Sequence, residues 1–227
     1  MSNLPATPAQ LRIIDRDALF IGLATATYGI SFGAIAVTAG FSIWQTQALS
    51  LLLFSGASQF AFVSVLAAGG SVSAAIATAS LLGVRNGLYG MRIAQLIKPK
   101  AAQKLIYAHL TIDESTAMAN RFDATSSTAR RAFLATGISV FVFWNLATLA
   151  GALLAQAVTS PEVFGLDAAI GAGFFALVAP RLTSTKTKLV AAAAVAISLA
   201  LTPWLAAGLP ILLAATAAVI AASWSKK

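Results

Sequence analysis

The sequence contains no cysteine, and His109 is its one histidine. The lack of cysteine excludes disulfide bonds, thiolate metal sites and a cysteine nucleophile. A single histidine likewise excludes a histidine-rich metal site. The sequence therefore predicts neither a metal nor a cofactor.

Charged residues are also scarce. They make up 10% of the 227 residues, whereas soluble globular proteins carry roughly 25%. Hydrophobic residues make up 59% of the chain, so the charges are too few to cover a water-facing surface. Long apolar runs suit a lipid bilayer, in which helices satisfy their own backbone hydrogen bonds. We therefore predict an all-α fold, a polytopic membrane helix bundle.

The net charge of +8 comes from basic residues that cluster between the apolar runs. This pattern is typical of cytoplasmic loops in membrane proteins, not of a nucleic-acid-binding surface. Residues 1–17 are polar and lack the basic start and apolar core of a signal peptide. We expect them to form a retained, flexible N-terminal arm, and residues 18–227 to form a single transmembrane domain.

Seven stretches are apolar enough to be membrane-spanning helices, which need about 20 residues. They lie at residues 18–39, 46–68, 72–97, 131–157, 165–181, 188–204 and 207–224. The fifth and sixth are short, so either could be broken, tilted or partly re-entrant.

The polar segment at about 98–130 is rich in Lys and Arg, which predicts that it is a cytoplasmic loop. Lys226 and Lys227 likewise predict a cytoplasmic C-terminus. Three crossings before Lys98 would then place the N-terminus outside, and this is the topology that we expect. In the competing topology, one early span is re-entrant and the N-terminus lies inside.

Residues 28–66 and 145–182 have a similar order of features. In each, a helix of small residues is followed by a short break and a helix rich in Gly and Ala. If spans one to three resemble spans four to six, the two repeats are inverted, as in many transporters. The alternative is that any two such spans look alike.

Glycine pairs mark surfaces where helices can pack closely. Gly29 and Gly33 form one GxxxG pair, and Gly83 and Gly87 form another. Small residues allow the close backbone contact that holds helices together in lipid. We predict a packing role for both pairs.

Two arginines lie in the third predicted span. Arg85, Tyr89 and Arg92 are spaced so that they share one helix face. Arg92 lies about 8 Å below the end of the span, from which it can extend to the headgroups, whereas Arg85 lies about 18 Å below it. Arg85 is therefore the strongest candidate for a functional residue, since charges near the middle of a bilayer are rarely tolerated without a role.

The sequence places no Asp or Glu at the depth of Arg85, because the acidic residues lie in loops or at span ends. Its partner would then be a backbone carbonyl, an amide such as Gln59 or Asn145, water, or an anion from outside. The carboxylate of an amino acid would fit the fork of the guanidinium group. A purely structural role, with carbonyls of a broken helix, is the alternative.

Further polar candidates are less specific. Gln59 and Asn145 could bind substrate, although amides more often join helices. Asn86 adjoins Arg85 but points about 100° away around the helix, so it would serve a different contact. Asp113 is a weak candidate for coupling transport to protons, and the stronger reading is an exposed helix cap.

Several motifs together resemble one known family. They are YGISFGAIAVTAGFS, LLLFSGASQFAFVSVL, LLGVRNGLYGMRIAQLI, HLTIDEST and GLDAAIGAGFFALV. In this order they resemble the AzlC family, the large subunit of bacterial branched-chain amino-acid exporters, from about Leu19 to Val178. That family often has an Asn-Leu-Arg-His-like run where this chain has Val84, Arg85 and Asn86, so no role of that histidine is carried over.

The resemblance implies a permease of the bacterial cytoplasmic (inner) membrane that exports Leu, Ile, Val or analogues. It also implies a small, separately encoded membrane subunit of the AzlD type. Export of branched-chain or similar apolar amino acids is the function that we predict. The alternatives are a transporter of another small solute, a channel, or a scaffold subunit whose partner holds the pathway. An enzyme is not predicted, because the sequence has no zinc motif, paired intramembrane carboxylates or nucleophile elbow.

Overall fold

The computed structural model describes residues 7–123, 125–157, 175, 178–179, 182–205 and 209–224. All regular secondary structure within these residues is helical. The α-helices are α1 Pro8–Thr38, α2 Ile43–Leu52, α3 Gly56–Ala67, α4 Val72–Ile97, α5 Lys104–His109, α6 Asp113–Arg121, α7 Ser126–Ala157, α8 Thr185–Leu201 and α9 Leu209–Trp224. A short 3₁₀ turn, Ala101–Gln103, precedes α5.

Helix α4 has the bounds predicted for the third span, because Ser71 caps its first turn and Lys98 ends it in the left-handed conformation. Helix α1 begins at Pro8, where Thr7 and Gln10 form a capping box. Residues 8–17 are therefore helical, and the expectation of a flexible arm is wrong for them. The fifth predicted span, 165–181, lies almost entirely outside the described residues. Among the described helices, α1 and residues 127–157 of α7 are long and apolar enough to cross a membrane.

The second predicted span is two helices instead of one. α2 ends at Leu52 and α3 begins at Gly56, with an extended Ser55 between them. The side-chain amide of Gln59 fills the gap, because its nitrogen donates to the carbonyls of Leu53 at 2.7 Å and Leu49 at 3.3 Å. Backbone amides also donate to these two carbonyls, from Leu53 to Leu49 at 2.9 Å and from Ser55 to Leu53 at 2.7 Å. Gln59 thus adds a side-chain donor where the helix breaks.

Helices α1 and α7 run parallel and almost touch along their backbones. Asp15 meets Arg131 at one end, and Gly29 meets Trp144 further along. At Gly33, a Cβ atom would collide with the carbonyl of Thr148. Gly29 and Gly33 thus lie at the closest helix contact, as small residues in GxxxG pairs do.

The end of the bundle that holds Arg121, Arg130 and Arg131 is called the basic end here. Arg130 donates to the carbonyl of Ile97 at 3.1 Å, so α4 finishes where α7 begins. Helix α4 is therefore antiparallel to α1 and α7. Its start, at Val72, lies at the opposite end, which is called the neutral end because its connections 39–42 and 68–71 contain no charged residue.

The first hairpin, residues 43–67, enters from the neutral end and returns to it. α2 starts just after α1 has reached that end. Its tip lies halfway along the bundle, because Gln59 accepts a hydrogen bond from the indole of Trp144, near the middle of α7, at 3.0 Å. α3 then runs back along α4, with the Ser58 hydroxyl donating to the carbonyl of Ala79 at 2.9 Å.

The second hairpin, residues 104–121, enters from the basic end. Its tip at Leu110 packs against Gly137, about two turns into α7 from Arg130. α6 then returns beside α4, and Arg121 at its end pairs with Asp17 at 2.9 Å. The segment expected as a cytoplasmic loop therefore folds back into the helix bundle.

The tips of the two hairpins meet in the middle of the bundle. The rings of Phe54 and His109 have centroids 5.7 Å apart. Both rings also pack on Phe141 of α7, at 5.1 and 5.5 Å. Two short hairpins from opposite ends thus share one aromatic contact.

This arrangement corrects the expected topology. The start of α1 lies at the basic end, beside Arg121 and Arg131, through Asp17 and Asp15. Three crossings before Lys98 would have placed it at the opposite end. The contacts fit the competing topology, in which an early apolar stretch enters and leaves on one side.

The tight α1–α7 contact predicts a strong effect of one methyl group. Gly33→Ala would push α7 away at the Thr148 carbonyl and should lower the free energy of unfolding by about 1–3 kcal/mol. The measurement is thermal unfolding of the purified protein in detergent. Gly87→Ala is the matched control, since its Cβ would meet no described atom within 4 Å, and it should be neutral or stabilising. Equal melting temperatures for Gly33→Ala and the unmodified protein would refute the contact.

The break between α2 and α3 predicts that loss of the Gln59 amide destabilises the protein. Gln59→Leu leaves the buried indole of Trp144 without its acceptor. It also removes the side-chain donor to the Leu53 carbonyl, which keeps its hydrogen bond from the Ser55 amide. We expect a loss of about 2 kcal/mol or more, measured by the same unfolding assay. Gln156→Leu, at an exposed position on α7, is the control and should change little. A loss no greater than that of the control would show that Gln59 does not support the break.

Candidate substrate pathway

Two cavities flank the contact between the hairpin tips. The first, of 570 Å³, lies between α4 and the first hairpin and reaches Phe54 and His109. The second, of 620 Å³, lies between α4 and the second hairpin and reaches Lys98 and Lys104 at the basic end. Both cavities touch Ala108 and Thr111. The two cavities thus lie one after the other along α4 and adjoin at these two residues.

Small residues on one face of α4 form the wall of these cavities. Ala79 and Gly83 border the first cavity, and Gly87, Gly90 and Ala94 border the second. A Cβ at Gly83 would make only an ordinary contact with Ser58, at 3.6 Å, and one at Gly87 or Gly90 would meet no described atom within 4 Å. Within the described residues, the predicted packing role of Gly83 and Gly87 is therefore not seen, and both face the cavities.

Asn86 lies on the wall of the first cavity. Its side-chain oxygen is buried and accepts no hydrogen bond from any described residue. An unpaired buried acceptor costs free energy. As the helical spacing predicts, Asn86 and Arg85 lie on different faces of α4. Asn86 lines the first cavity, whereas Arg85 lines neither cavity.

Gln59 and Asn145 have structural partners. Gln59 is fully buried, with its amide nitrogen donating to carbonyls at the end of α2 and its oxygen accepting from Trp144. Asn145 donates to the Phe141 carbonyl at 2.7 Å and accepts from Gln47 at 3.3 Å. Neither residue lines a cavity, which agrees with the helix-joining role that amides commonly have in membranes.

Arg85 has an acidic partner after all. Its guanidinium donates to Asp113 at 2.7 Å, and the two side chains are only 28% and 22% exposed. The expectation that no acid reaches the depth of Arg85 is wrong, because the second hairpin folds Asp113 into the bundle. Asp113 is also not an exposed cap, since Ile112 occupies the N-cap position of α6. The Nε atom of Arg85 is buried without a partner in the described part of the chain.

The predicted stripe on α4 faces the second hairpin. Arg92, one level nearer the basic end, donates to Asn120 at 3.2 Å and lies 3.6 Å from Asp123. Tyr89 lies between the two arginines on the same face. Because Arg85 pairs with Asp113 and Arg92 with Asn120, α4 and α6 run parallel with a constant offset. The stripe attaches the hairpin and does not line either cavity.

Phe54 and His109 were not identified from the sequence. Both lie at the tips of hairpins. In the sequence, Phe54 falls inside the second predicted span and His109 falls inside the predicted cytoplasmic loop. One signal was present, because the stretch Leu105–Ile112 is mostly apolar although it lies inside the basic segment. Apolar residues there are consistent with a segment that returns into the bundle.

Comparison with known proteins finds one protein family and three membrane proteins to which the chain is similar. The sequence profile described as AzlC protein matches residues 21–158, which include both hairpins. The chain is 36% identical over 75 residues to the inner membrane protein YgaZ of Escherichia coli K12, covering 33% of this chain and 31% of YgaZ. It is also similar to an uncharacterized membrane protein of Archaeoglobus fulgidus, with 30% identity over 158 residues and 67% of both chains.

An uncharacterized membrane protein of Helicobacter pylori is 23% identical over 127 residues, or 56% of each chain. No solved structure matches the chain. The alignment with YgaZ thus spans about a third of that protein's length, while the profile covers most of the described helices. The protein belongs to the AzlC family.

Proposed function

We propose that this protein is a membrane permease that exports branched-chain or similar apolar amino acids. Membership of the AzlC family and similarity to proteins named as membrane proteins support a role related to membrane transport. The observation that carries the proposal is the pair of opposed hairpins, with a cavity on each side of their contact. Each cavity is large enough for an aliphatic amino acid.

The distribution of charge supports a membrane position for the bundle. No charged residue occurs between Asp17 and Arg85, so the part of α1 beyond Asp17 and the whole first hairpin are uncharged. The breaks in the hairpins have their carbonyls paired by side chains, at Gln59 in the first and at Ser115 and Thr111 in the second. Non-helical backbone inside a bilayer requires such internal pairing.

The positive-inside rule gives the orientation. The basic end holds the arginines of α6 and α7 together with Lys98 and Lys104, whereas the connections 39–42 and 68–71 at the neutral end contain no basic residue. We therefore place the basic end and the N-terminus in the cytoplasm. If residues 158–181 cross once, as the sequence predicts, α8 and α9 return the C-terminus to the cytoplasm.

The mechanism follows from the two cavities. Substrate enters the second cavity from the cytoplasm, where Lys98 and Lys104 attract its carboxylate. The contact of Phe54 with His109 and Phe141 closes the path to the first cavity. Displacement of a hairpin tip would open this barrier, and the small residues of α4 leave room for an apolar side chain to pass.

A small partner subunit of the AzlD type is part of the proposal. α4 exposes Val72, Ile76, Val84, Leu88 and Met91, each between 54% and 60% exposed. This apolar surface suits either lipid or the helix of a second membrane protein. Because α4 also forms the cavity wall, a subunit bound there would act directly on the pathway.

Export is tested by loading cells with a leucine-containing dipeptide and following leucine efflux. We expect faster efflux from cells that make this chain with its small partner than from cells that lack both. A third strain with the chain alone separates a permease from a scaffold whose partner holds the pathway. Unchanged efflux of leucine, isoleucine and valine at normal surface expression would refute the proposed substrate class.

The Arg85–Asp113 pair makes a separate prediction. Arg85→Gln leaves the Asp113 carboxylate partly buried without its ion pair, and should destabilise the protein by on the order of 2 kcal/mol. Adding Asp113→Asn restores a neutral hydrogen-bonding pair, and should recover most of this loss in a thermal unfolding assay. Arg92→Gln, which is half exposed on the same face, is the matched control and should cost little.

Leucine efflux by the same variants distinguishes a structural role of Arg85 from a role in substrate binding. If Arg85 only anchors the second hairpin, the double variant should export leucine. If the double variant is stable but inactive, Arg85 contributes to the transport step itself. Asp113→Asn alone completes the comparison, and a double variant whose loss equals the sum of the two single losses would show that the two residues do not act as a pair.

A further inference from the structure

We infer that the imidazole of His109 binds the carboxylate of the transported amino acid where the two cavities adjoin. This inference rests on the proposed function, and it names the contact by which that site would recognise its substrate. The position of the ring at the hairpin tip and its unpaired nitrogens carry the inference.

The ring of His109 has aromatic neighbours but no hydrogen-bonding partner in the described part of the chain. Phe54 and Phe141 lie against it, with centroid distances of 5.7 and 5.5 Å, and neither can accept or donate as a polar side chain does. The ring nitrogens are unpaired among the described residues, and neither is buried. Because His109 lines the first cavity, a ligand there can reach the N–H group that either tautomer of imidazole carries.

The other polar side chains of the first cavity differ from His109 in charge. Ser80 and Asn86 of α4 also line this cavity and can supply further hydrogen bonds. Ser58 and Thr111 have less to offer, because their hydroxyls already donate to backbone carbonyls at 2.9 and 2.7 Å. None of these four side chains can carry a charge. An imidazole can take up a proton and then donate from both nitrogens, so within the described lining His109 is the residue that can match a carboxylate.

Helix α5 presents carboxylate-binding groups to both cavities. Lys104, its first residue, lines the second cavity, and His109, its last residue, lines the first, about 7.5 Å further along the helix axis. Ala108 lines both cavities, and no Asp or Glu lines either one in the described part of the chain. A carboxylate attracted by Lys98 and Lys104 would thus meet the imidazole next as the substrate moves towards the neutral end.

A histidine suits this position because it offers a donor without a permanent charge. A lysine or arginine at the hairpin tip would carry its charge in the middle of the bundle even without substrate, which is costly. An imidazole instead packs on Phe54 and Phe141 as a third aromatic ring. Its hydrogen bond to a carboxylate is stronger than one between neutral groups. The same ring can therefore take part in the closed barrier and bind the substrate that arrives there.

The test measures ligand binding to the purified full-length protein in nanodiscs, with its small partner present. Binding of leucine is compared with binding of 3-methylbutylamine, which has the same side chain and ammonium group but no carboxylate. His109→Phe keeps an aromatic ring beside Phe54 and Phe141 and removes both ring nitrogens. We expect it to weaken leucine binding roughly ten- to a hundredfold. It should leave the weaker binding of the amine unchanged.

Two further variants serve as controls. His109→Gln keeps an N–H donor and should bind leucine more tightly than His109→Phe does. Tyr28→Phe removes one polar group from an aromatic residue that lines neither cavity, and should leave leucine binding unaltered. Melting temperatures without ligand verify that each variant is folded. Selective loss of leucine binding in His109→Phe, with binding partly retained in His109→Gln and fully retained in Tyr28→Phe, would support the assignment.

A second measurement needs no substitution, because His109 is the one histidine in the sequence. Isotopically labelled histidine in this chain, purified with a tag that contains no histidine, gives NMR signals from a single imidazole. Leucine should shift these signals by more than 3-methylbutylamine does. This measurement decides the assignment if His109→Phe does not fold, and equal shifts by the two ligands would then overturn it.

The remaining results separate the assignment from the proposed function. If His109→Phe binds leucine as tightly as the unmodified protein does, His109 does not bind the carboxylate, and the proposed export function is unaffected. Equal weakening of leucine and the amine by His109→Phe would indicate a contact with the ammonium group or a changed cavity shape, and would also overturn the assignment. If the unmodified protein binds none of leucine, isoleucine and valine, the proposed substrate class fails, and the assignment of His109 fails with it.

Discussion

The hairpins depend on one constraint, which is that a helix broken inside an apolar bundle must still have its carbonyl groups paired. At the end of α2 the amide of Gln59 takes the role that water has at a protein surface, and Trp144 fixes the orientation of that amide. In the second hairpin, Ser115 donates to the Leu110 carbonyl at 2.6 Å and accepts from the Ile112 amide at 3.1 Å. With these side chains in place, both tips can lie in the interior at little cost in unpaired backbone.

Glycine has opposite roles on the two sides of the bundle. Between α1 and α7, Gly29, Gly33 and Gly151 allow the helices to approach until backbone nearly meets backbone, which produces a rigid pair. On α4, Gly87 and Gly90 meet no described atom and leave space beside the hairpins. The same residue type thus builds both the support for the hairpins and the cavities next to them. A GxxxG pattern alone does not distinguish these roles, because it records spacing and not what lies opposite.

Much of the helical structure could be predicted from the sequence, including the bounds of α4 and the shared face of Arg85 and Arg92. The topology could not, because a hairpin of two half-length helices and a single span have the same apolar length. Residues 46–68 are apolar throughout, and the only local sign of a turn is the pair Ser55–Gly56. For the second hairpin, the flanking lysines and arginines predicted a loop outside the bundle, whereas its apolar middle folds inward. Hydropathy reports whether a segment prefers water or lipid. It does not show whether the segment crosses the bilayer or returns to the side from which it entered.

The inward position of the second hairpin also explains why two charged residues lie in the middle of the bundle. Arg85 alone would be costly at that depth, and so would Asp113, but each is the partner of the other. The pair forms only if the second hairpin enters the bundle, so the two charges favour the entered position over an exposed loop. An ion pair of this kind adds little net stability compared with two apolar residues, yet it strongly disfavours any arrangement that separates the charges. Arg85 therefore specifies where α6 lies along α4, and α6 in turn determines how far the tip with His109 extends toward Phe54.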